Sequence, residues 1–422
     1  MHFIQRILNK SEMVKNGFML LSSSTVAQLL AVIFYPIITR QYSPAELGAV
    51  SLFLSIVGIG SILATAQYES AILLESEEVN AVAVFDLTFL INLGITGFAL
   101  TSLLLFKNSI IKLFNVEGIS QFLWLIPVMI FLTTLGFVFT YWFNRQNRFS
   151  YTARYNLVQS ASNSTMKVFL GAISYTHWGL FVSSIWGQIA GIGSVIFNKS
   201  LINPLFQFNK KRMSEVAIRH FKFPVYTLPH AFINTIAGNL PVLILSAWFN
   251  MTEVGLFSLG VTLGFRPISM LTTSMNQVFF QKVSSNKNNG VESYSLLLRF
   301  CKKAIYITLP LFAIAFVIIK PATVLIFGAA WIGAGVYLQL MLPWFFISIL
   351  TSTLCFMPAL VGKQRQAMIL EIIYTGLRAG ALLIGVLHRD IYLAVLLFSL
   401  VTSFCLAAFL IWYLLLAKKM FR

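Results

Sequence analysis

Apolar residues run through this chain in long blocks separated by short polar segments. A helix needs about 20 mainly apolar residues to cross the hydrocarbon core of a bilayer. Twelve blocks approach or exceed that length, near 16–38, 46–66, 80–105, 120–142, 150–174, 178–198, 223–249, 254–276, 301–319, 331–357, 366–387 and 391–416. The two longest connections, near 199–222 and 277–300, carry no apolar mass for a further domain. The pattern predicts an all-α integral membrane protein of about 12 transmembrane helices. Its first block has full span length and lacks a small-residue cleavage site, so it reads as a span and not as a removable signal.

Composition sharpens this reading. Of 422 residues, 58% are hydrophobic and 10% charged, against about 25% charged in soluble domains. So few polar groups cannot cover a water-soluble fold. Cys301, Cys355 and Cys405 lie in or beside apolar runs without ligand spacing, which excludes a disulfide framework and a cysteine metal site. No metal site and no cofactor are expected.

The charge is lopsided, with 30 Lys and Arg against 13 Asp and Glu, a net +17. In a soluble protein such an excess suggests nucleic acid. Membrane proteins instead collect Lys and Arg in short cytoplasmic loops. With the N-terminus inside, 22 of the 30 basic residues fall in cytoplasmic segments and five outside, at Arg40, Lys107, Lys112, Lys320 and Arg389. The excess is a topological signal, no nucleic-acid partner is expected, and both termini are placed in the cytoplasm.

The chain also repeats itself. Tyr42-Ser43-Pro44-Ala45-Glu46-Leu47-Gly48 aligns with Phe249-Asn250-Met251-Thr252-Glu253-Val254-Gly255, and Ser51-Leu52 with Ser258-Leu259. Weaker echoes follow in the same order: Pro127 matches Pro343, and Asn144-Arg145-Gln146 matches Gly362-Lys363-Gln364. Tandem halves of six spans imply two pseudo-symmetric six-helix bundles related by an axis along the membrane normal, with a site between them. The expected division is 1–200 and 223–422, joined by a basic cytoplasmic linker at 201–222. The repeated Glu46 and Glu253 read foremost as helix-start residues, because Ser43-Pro44-x-Glu46 has the form of a capping box.

Candidate chemistry lies where the bilayer should not tolerate it. Ionisable side chains inside spans usually face a bundle interior or a water-filled cavity. Five qualify: Asp86, Lys167, Arg266, Glu371 and Arg378. Arg266 and Arg378 fall near the middle of their spans. Lys167 lies nearer one end, where its long stem can also reach the interface. Polar stripes at helical spacing accompany them: Asn156, Gln159, Asn163 and Lys167; Thr262, Arg266, Ser269 and Thr273; Glu371, Thr375 and Arg378; His230 and Asn234. Such stripes suit a polar cavity, or hydrogen-bonded glue between helices. Pro267 should bend the helix at Arg266. Glu69, Glu75, Glu77 and Glu78 form an acidic cluster, read as a solvated loop open to pairing with neighbouring basic loops. No catalytic constellation and no large extramembrane loop that could carry one are visible.

Tyr35-Pro36-Ile37-Ile38-Thr39-Arg40-Gln41-Tyr42-Ser43-Pro44-Ala45-Glu46-Leu47-Gly48 resembles the corresponding stretch of bacterial polysaccharide flippases of the Wzx (O-antigen) type. These belong to the superfamily of multidrug, oligosaccharidyl-lipid and polysaccharide exporters. Length, span number and tandem halves extend the resemblance over the whole chain. It implies a multi-pass protein of the bacterial inner membrane that moves undecaprenyl-diphosphate-linked oligosaccharide from the cytoplasmic to the periplasmic leaflet by alternating access. It also implies a cationic central cavity, and glycan polymerase and chain-length machinery as partners. On that view Arg266, Arg378, Lys167, Asn163 and Asn234 bind substrate, and Asp86, Glu371 or His230 couples an ion gradient. The alternatives are a cation-coupled drug exporter of the same superfamily, a 12-span facilitator, and a membrane glycan polymerase or ligase. The facilitator lacks support in its usual loop motif, and the enzymes carry a sizeable outer loop that is missing here.

Overall fold

In a computed structural model, residues 25–30, 32–114, 117–197, 202–288 and 292–419 are described. Among them there is no β-strand. The chain forms two compact units, Met1–Ala247 and Trp248–Arg422.

In the first unit, residues 25–30 and 32–41 are helical, and the latter stretch is α1. It is followed by α2 (Pro44–Thr65), α3 (Glu78–Phe114), α4 (Leu125–Arg145), α5 (Phe149–Ala172), α6 (Thr176–Ile196), α7 (Lys210–Arg219) and α8 (Leu228–Trp248). The second unit holds α9 (Met251–Asn288), α10 (Tyr294–Phe327), α11 (Ile332–Leu354), α12 (Gln364–Leu387) and α13 (Ile391–Lys419). Most of the long helices begin and end near the expected spans, but α3 runs nine residues past the expected 105 and α9 twelve past the expected 276.

Ten helices are long and apolar enough to cross a membrane among the described residues. Two expected spans are outside that set for different reasons. The block at 16–38 begins in residues outside those described. α5 forms as 24 helical residues, but the polar stripe from Asn156 to Lys167 lowers its apolar content. The most apolar stretches of helices α3 and α10 are almost unburied within the protein, although the first turns of α3, from Ala81 to Asp86, are buried. Leu104, Leu105, Tyr306 and Leu325 are each at least 75% exposed. A helix apolar on every face is at home in hydrocarbon, where that exposure costs nothing.

Local chemistry sets the helix starts. Ser43 caps α2: its hydroxyl accepts from the Glu46 backbone N–H at 3.3 Å, and the Glu46 carboxylate accepts from the Ser43 N–H at 2.8 Å. The capping box is complete. At the repeat, Asn250 Oδ1 accepts from the Glu253 N–H at 2.9 Å, while the Glu253 carboxylate turns away and accepts from the hydroxyl of Tyr337 on α11.

Within the first unit, α5 and α6 approach closely because Gly187 and Gly191 stand one turn apart. A Cβ on Gly187 would lie 2.8 Å from Asn163 Cβ, and one on Gly191 would lie 2.8 Å from Gln159 Cβ. Two small residues at this spacing let membrane helices pack backbone to backbone.

The segment 202–222 is folded onto the first unit. Asn209 caps α7, accepting from the Arg212 N–H at 3.2 Å. Met213 and Val216 are buried in the core with Phe85, Trp142 and Tyr155, and the Tyr68 hydroxyl donates to the Ala217 carbonyl at 3.1 Å. The acidic cluster is likewise not a solvated loop throughout. Glu69 and Glu75 are only 6% and 8% exposed, because a short 3-10 helix, Tyr68–Leu73, turns this connection inward against α3 and α4.

Candidate functional site

The expected site residues divide between the units. In the first, Asn163 and Lys167 are half-buried one turn apart on α5. Asn163 Oδ1 is buried without a hydrogen-bond partner, an unmet need that costs on the order of 1–3 kcal/mol. Lys167 is engaged within the structure, and its backbone carbonyl accepts from the Tyr42 hydroxyl at 2.7 Å. His230 and Asn234 are exposed on α8, just after a π-helical turn at Phe223–Thr227. Such wide turns are frequent at functional sites.

Asp86 is fully buried. Its two carboxylate oxygens accept from the backbone N–H groups of Phe206, at 2.9 Å, and Phe208, at 2.8 Å. Both phenylalanines adopt left-handed backbone angles, φ 63° and 47°. That conformation costs a bulky residue about 1–2 kcal/mol, and the charge-assisted hydrogen bonds offset it. Asp86 is therefore occupied as an anchor for residues 206–208.

In the second unit, Arg378 is half-buried on α12. Its guanidinium carbon lies 4.8 Å from the ring centre of Tyr374 and 4.8 Å from that of Phe398 on α13. Cation–π contacts of this kind are worth about 0.5–2 kcal/mol each. The Nε is buried without an acceptor. Among the described residues, the terminal nitrogens make no hydrogen bond or ion pair. The result is a cation clamped between two rings with its donor fork unused among the described residues. Arg266 and Glu371 are half-buried and engaged. The hydroxyls below Arg266 turn back on their own helix, Ser269 donating to the Arg266 carbonyl at 2.8 Å and Thr273 to the Ser269 carbonyl at 2.7 Å. Thr375 does the same toward Glu371 at 2.8 Å. These hydroxyls satisfy themselves locally, so the stripes owe their polarity mainly to the charged members.

The acidic cluster pairs with the neighbouring basic segment, as expected, but through a buried carboxylate and partners the sequence did not single out. The buried Glu75 carboxylate accepts from Arg219 Nη1 at 3.0 Å to each oxygen and contacts His220 Nε2 at 2.7 Å. Arg145 Nη2 donates to the carbonyls of Glu75 and Ser76 at 3.0 and 3.2 Å. The Arg219-His220 pair closing α7 was the available signal, and it reads as cytoplasmic charge until α7 is seen to dock. Among the described residues, no group of His, Cys, Asp or Glu is placed to hold a metal ion.

A family described as "Polysaccharide biosynthesis protein" matches residues 37–335. The succinoglycan biosynthesis transport protein ExoT of Rhizobium meliloti (strain 1021) is 22% identical over 344 residues, which span 81% of this chain and 67% of ExoT. Among solved structures, the lipid II flippase MurJ in an inward closed conformation superposes with a TM-score of 0.71 at 15% identity, over 95% of this chain and 87% of that one. An inward-facing multidrug resistance MATE family transporter of the MOP superfamily superposes with a TM-score of 0.63 at 13% identity, over 93% and 95% of the two chains. At these identities the structural likenesses establish the fold.

Proposed function

The chain belongs to the polysaccharide biosynthesis protein family, and from that premise we propose that it is a flippase for undecaprenyl-diphosphate-linked oligosaccharide. It is a membrane-embedded transporter of polysaccharide biosynthesis; substrate, direction and mechanism are the proposal. The transport names of the relatives favour a carrier over an enzyme. In this reading the protein spans the bacterial inner membrane about 12 times with both termini cytoplasmic, and alternating access exposes its cationic residues to each leaflet in turn.

The observation that carries the proposal is Arg378. A diphosphate needs forked, charge-assisted donors, and Arg378 offers an unused fork in a helix of the membrane domain. The two rings fix the cation without consuming its hydrogen bonds. Asn163, with its unmet carbonyl oxygen, would accept from a sugar hydroxyl. Arg266, Lys167 and Asn234 supply further polar contacts. Asp86 is committed to its anchor, which leaves Glu371 and His230 as the stronger choices for ion coupling. The bilayer supplies the environment for the lipid chain, and glycan polymerase and chain-length machinery would receive the product.

Complementation tests this directly. In a strain lacking the gene, Arg378→Ala should reach the membrane in normal amount yet restore little surface polysaccharide. A hydrogen-bonded charge of about 1.5–3 kcal/mol corresponds to roughly a 10- to 100-fold loss. Arg378→Lys should recover only part of it, because an ammonium lacks the fork. Full complementation by Arg378→Ala with Arg266→Ala would sink the assignment.

A further inference from the structure

The first unit carries a second polar site, away from the stripes. Where α3 begins and α7 lies across it, polar side chains enclose a cleft of about 610 Å³. That size falls in the range of about 300–1,000 Å³ common to small-molecule sites. One wall is Glu75, Glu77 and Asn80; the other is Lys211, Arg212 and Glu215. Among the described residues, no aliphatic or aromatic side chain lines it, so those walls offer a lipid chain nothing to bind.

Charge pairing narrows the ligand. Glu75 is neutralised by Arg219. Lys211 and Arg212 form no side-chain hydrogen bond or ion pair among the described residues. They line the cleft with Glu215 and with Glu77, whose carboxylate accepts from the Asn80 amide at 3.1 Å and keeps its other oxygen for a ligand. Cations suit phosphate oxygens. Carboxylates accept from sugar hydroxyls, and amides both donate to and accept from them. A purely anionic ligand would be opposed by the carboxylates, and a simple cation by the lysine and arginine.

The segment that leads into the cleft wall is apolar. Phe206 and Phe208 are 37% and 39% exposed, and they pack against Phe89 with ring centres 5.2 and 6.2 Å away. Their anchor, Asp86, is eight residues into α3, about 12 Å along the helix axis at ~1.5 Å per residue. The two rings are thereby held against the apolar helix α3. The chain then runs through Asn209 to Lys211 and Arg212 in the cleft wall. Apolar rings, cations and a polar cleft thus follow one another along residues 206–215.

We infer that this surface is a docking site for an amphiphile with an apolar chain, a phosphate or diphosphate, and a polyhydroxylated head. It would load lipid-linked saccharide at the end of the first unit that the basic segments mark as cytoplasmic. The inference rests on the flippase reading for its ligand, but its residues are separate from Arg378.

Binding to the purified full-length protein separates the cases. The probes are undecaprenyl diphosphate, the same lipid diphosphate carrying a saccharide, and phosphatidylglycerol, each followed by native mass spectrometry in the Arg378→Ala background. Lys211→Gln with Arg212→Gln should weaken both diphosphates at least about tenfold. Glu77→Gln with Glu215→Gln should weaken only the saccharide-bearing probe, by about fivefold or more. All four positions lie at the surface of the cleft, and thermal melting confirms that each variant is folded. Parental affinity for every probe in both double variants overturns the docking site. Phosphatidylglycerol held as tightly as the diphosphates, and lost with them in the cation variant, also overturns it in favour of a general anionic-lipid surface. Failure of the flippase reading looks different: the parental protein would then leave surface polysaccharide unrestored in the strain lacking the gene, whatever the cleft variants bind.

Discussion

Glu69 shows what one side chain can decide. It is 6% exposed, and its Oε2 is buried without a partner. Burial raises its pKa above the ordinary 4.5, only partly countered by hydrogen bonds from its own backbone and Thr65. The folded protein thus keeps a proton that the unfolded chain releases as pH rises through that ordinary value. Stability from the neutral form is present at low pH and declines above it, since the unfolded state then binds fewer protons. Glu69→Gln should melt a few degrees higher than the parent at pH 8 and close to it at pH 4.5, measured by thermal unfolding in detergent. A parental melting profile across that range would contradict this account. The contrast with Glu46 explains what single residues disclose in advance. Glu46 acts within its own first turn, so Ser43-Pro44-x-Glu46 was sufficient to read it. Glu69 owes its state to burial, and Glu75 and Asp86 act through partners brought by folding, Asp86 through backbone groups 120 and 122 residues away. No spacing in the sequence encodes such contacts.

At the level of elements, long apolar periodicity was legible and short amphipathic structure was not. Ten of the expected spans appear as long apolar helices because hydrocarbon thickness imposes a length that a sequence must spell out, while the helical ends of α3 and α9 run on beyond it. α7 has ten residues, and only Met213 and Val216 are buried on it, too little apolar repetition to stand out among its lysines and arginines. Its attachment is testable. Asp86→Ala removes two charge-assisted hydrogen bonds, each worth about 1.5–3 kcal/mol, and frees the strained pair Phe206 and Phe208. Limited proteolysis should then cut within 202–209 far faster than in the parent, with a lower melting temperature. Unchanged cleavage would mean that the aromatic packing alone holds the segment. The α5–α6 contact makes a second prediction. Gly191→Leu forces a large side chain into the space of Gln159 and Tyr155, where overpacking typically costs about 1–3 kcal/mol. Less folded protein should be recovered from the membrane, while Gly193→Leu, where a Cβ meets nothing, should be recovered normally.

Over the whole molecule, the charge count and the tandem sequence repeat make separate demands. The distribution of Lys and Arg predicts one side for the segment 202–222 and the C-terminus, and the other for Arg389. Reporter fusions after Lys222 and Lys419 should fluoresce as cytoplasmic proteins and be inactive as periplasmic phosphatases, with the opposite result after Arg389. A fusion at Lys222 on the far side would invalidate the span count ahead of it. The repeat, for its part, has not remained symmetrical. Glu46 closes its own helix start, whereas Glu253 leaves that task to Asn250 and fastens Tyr337, 84 residues away. One ancestral-looking motif therefore has two mechanical duties, a local clasp in the first copy and a long-range tie in the second. A chimera that installs residues 42–52 in place of 249–259 would keep the helix start intact and redirect the carboxylate to serine. The buried tyrosine would then lose its acceptor, making the second copy the less tolerant host for its counterpart's sequence.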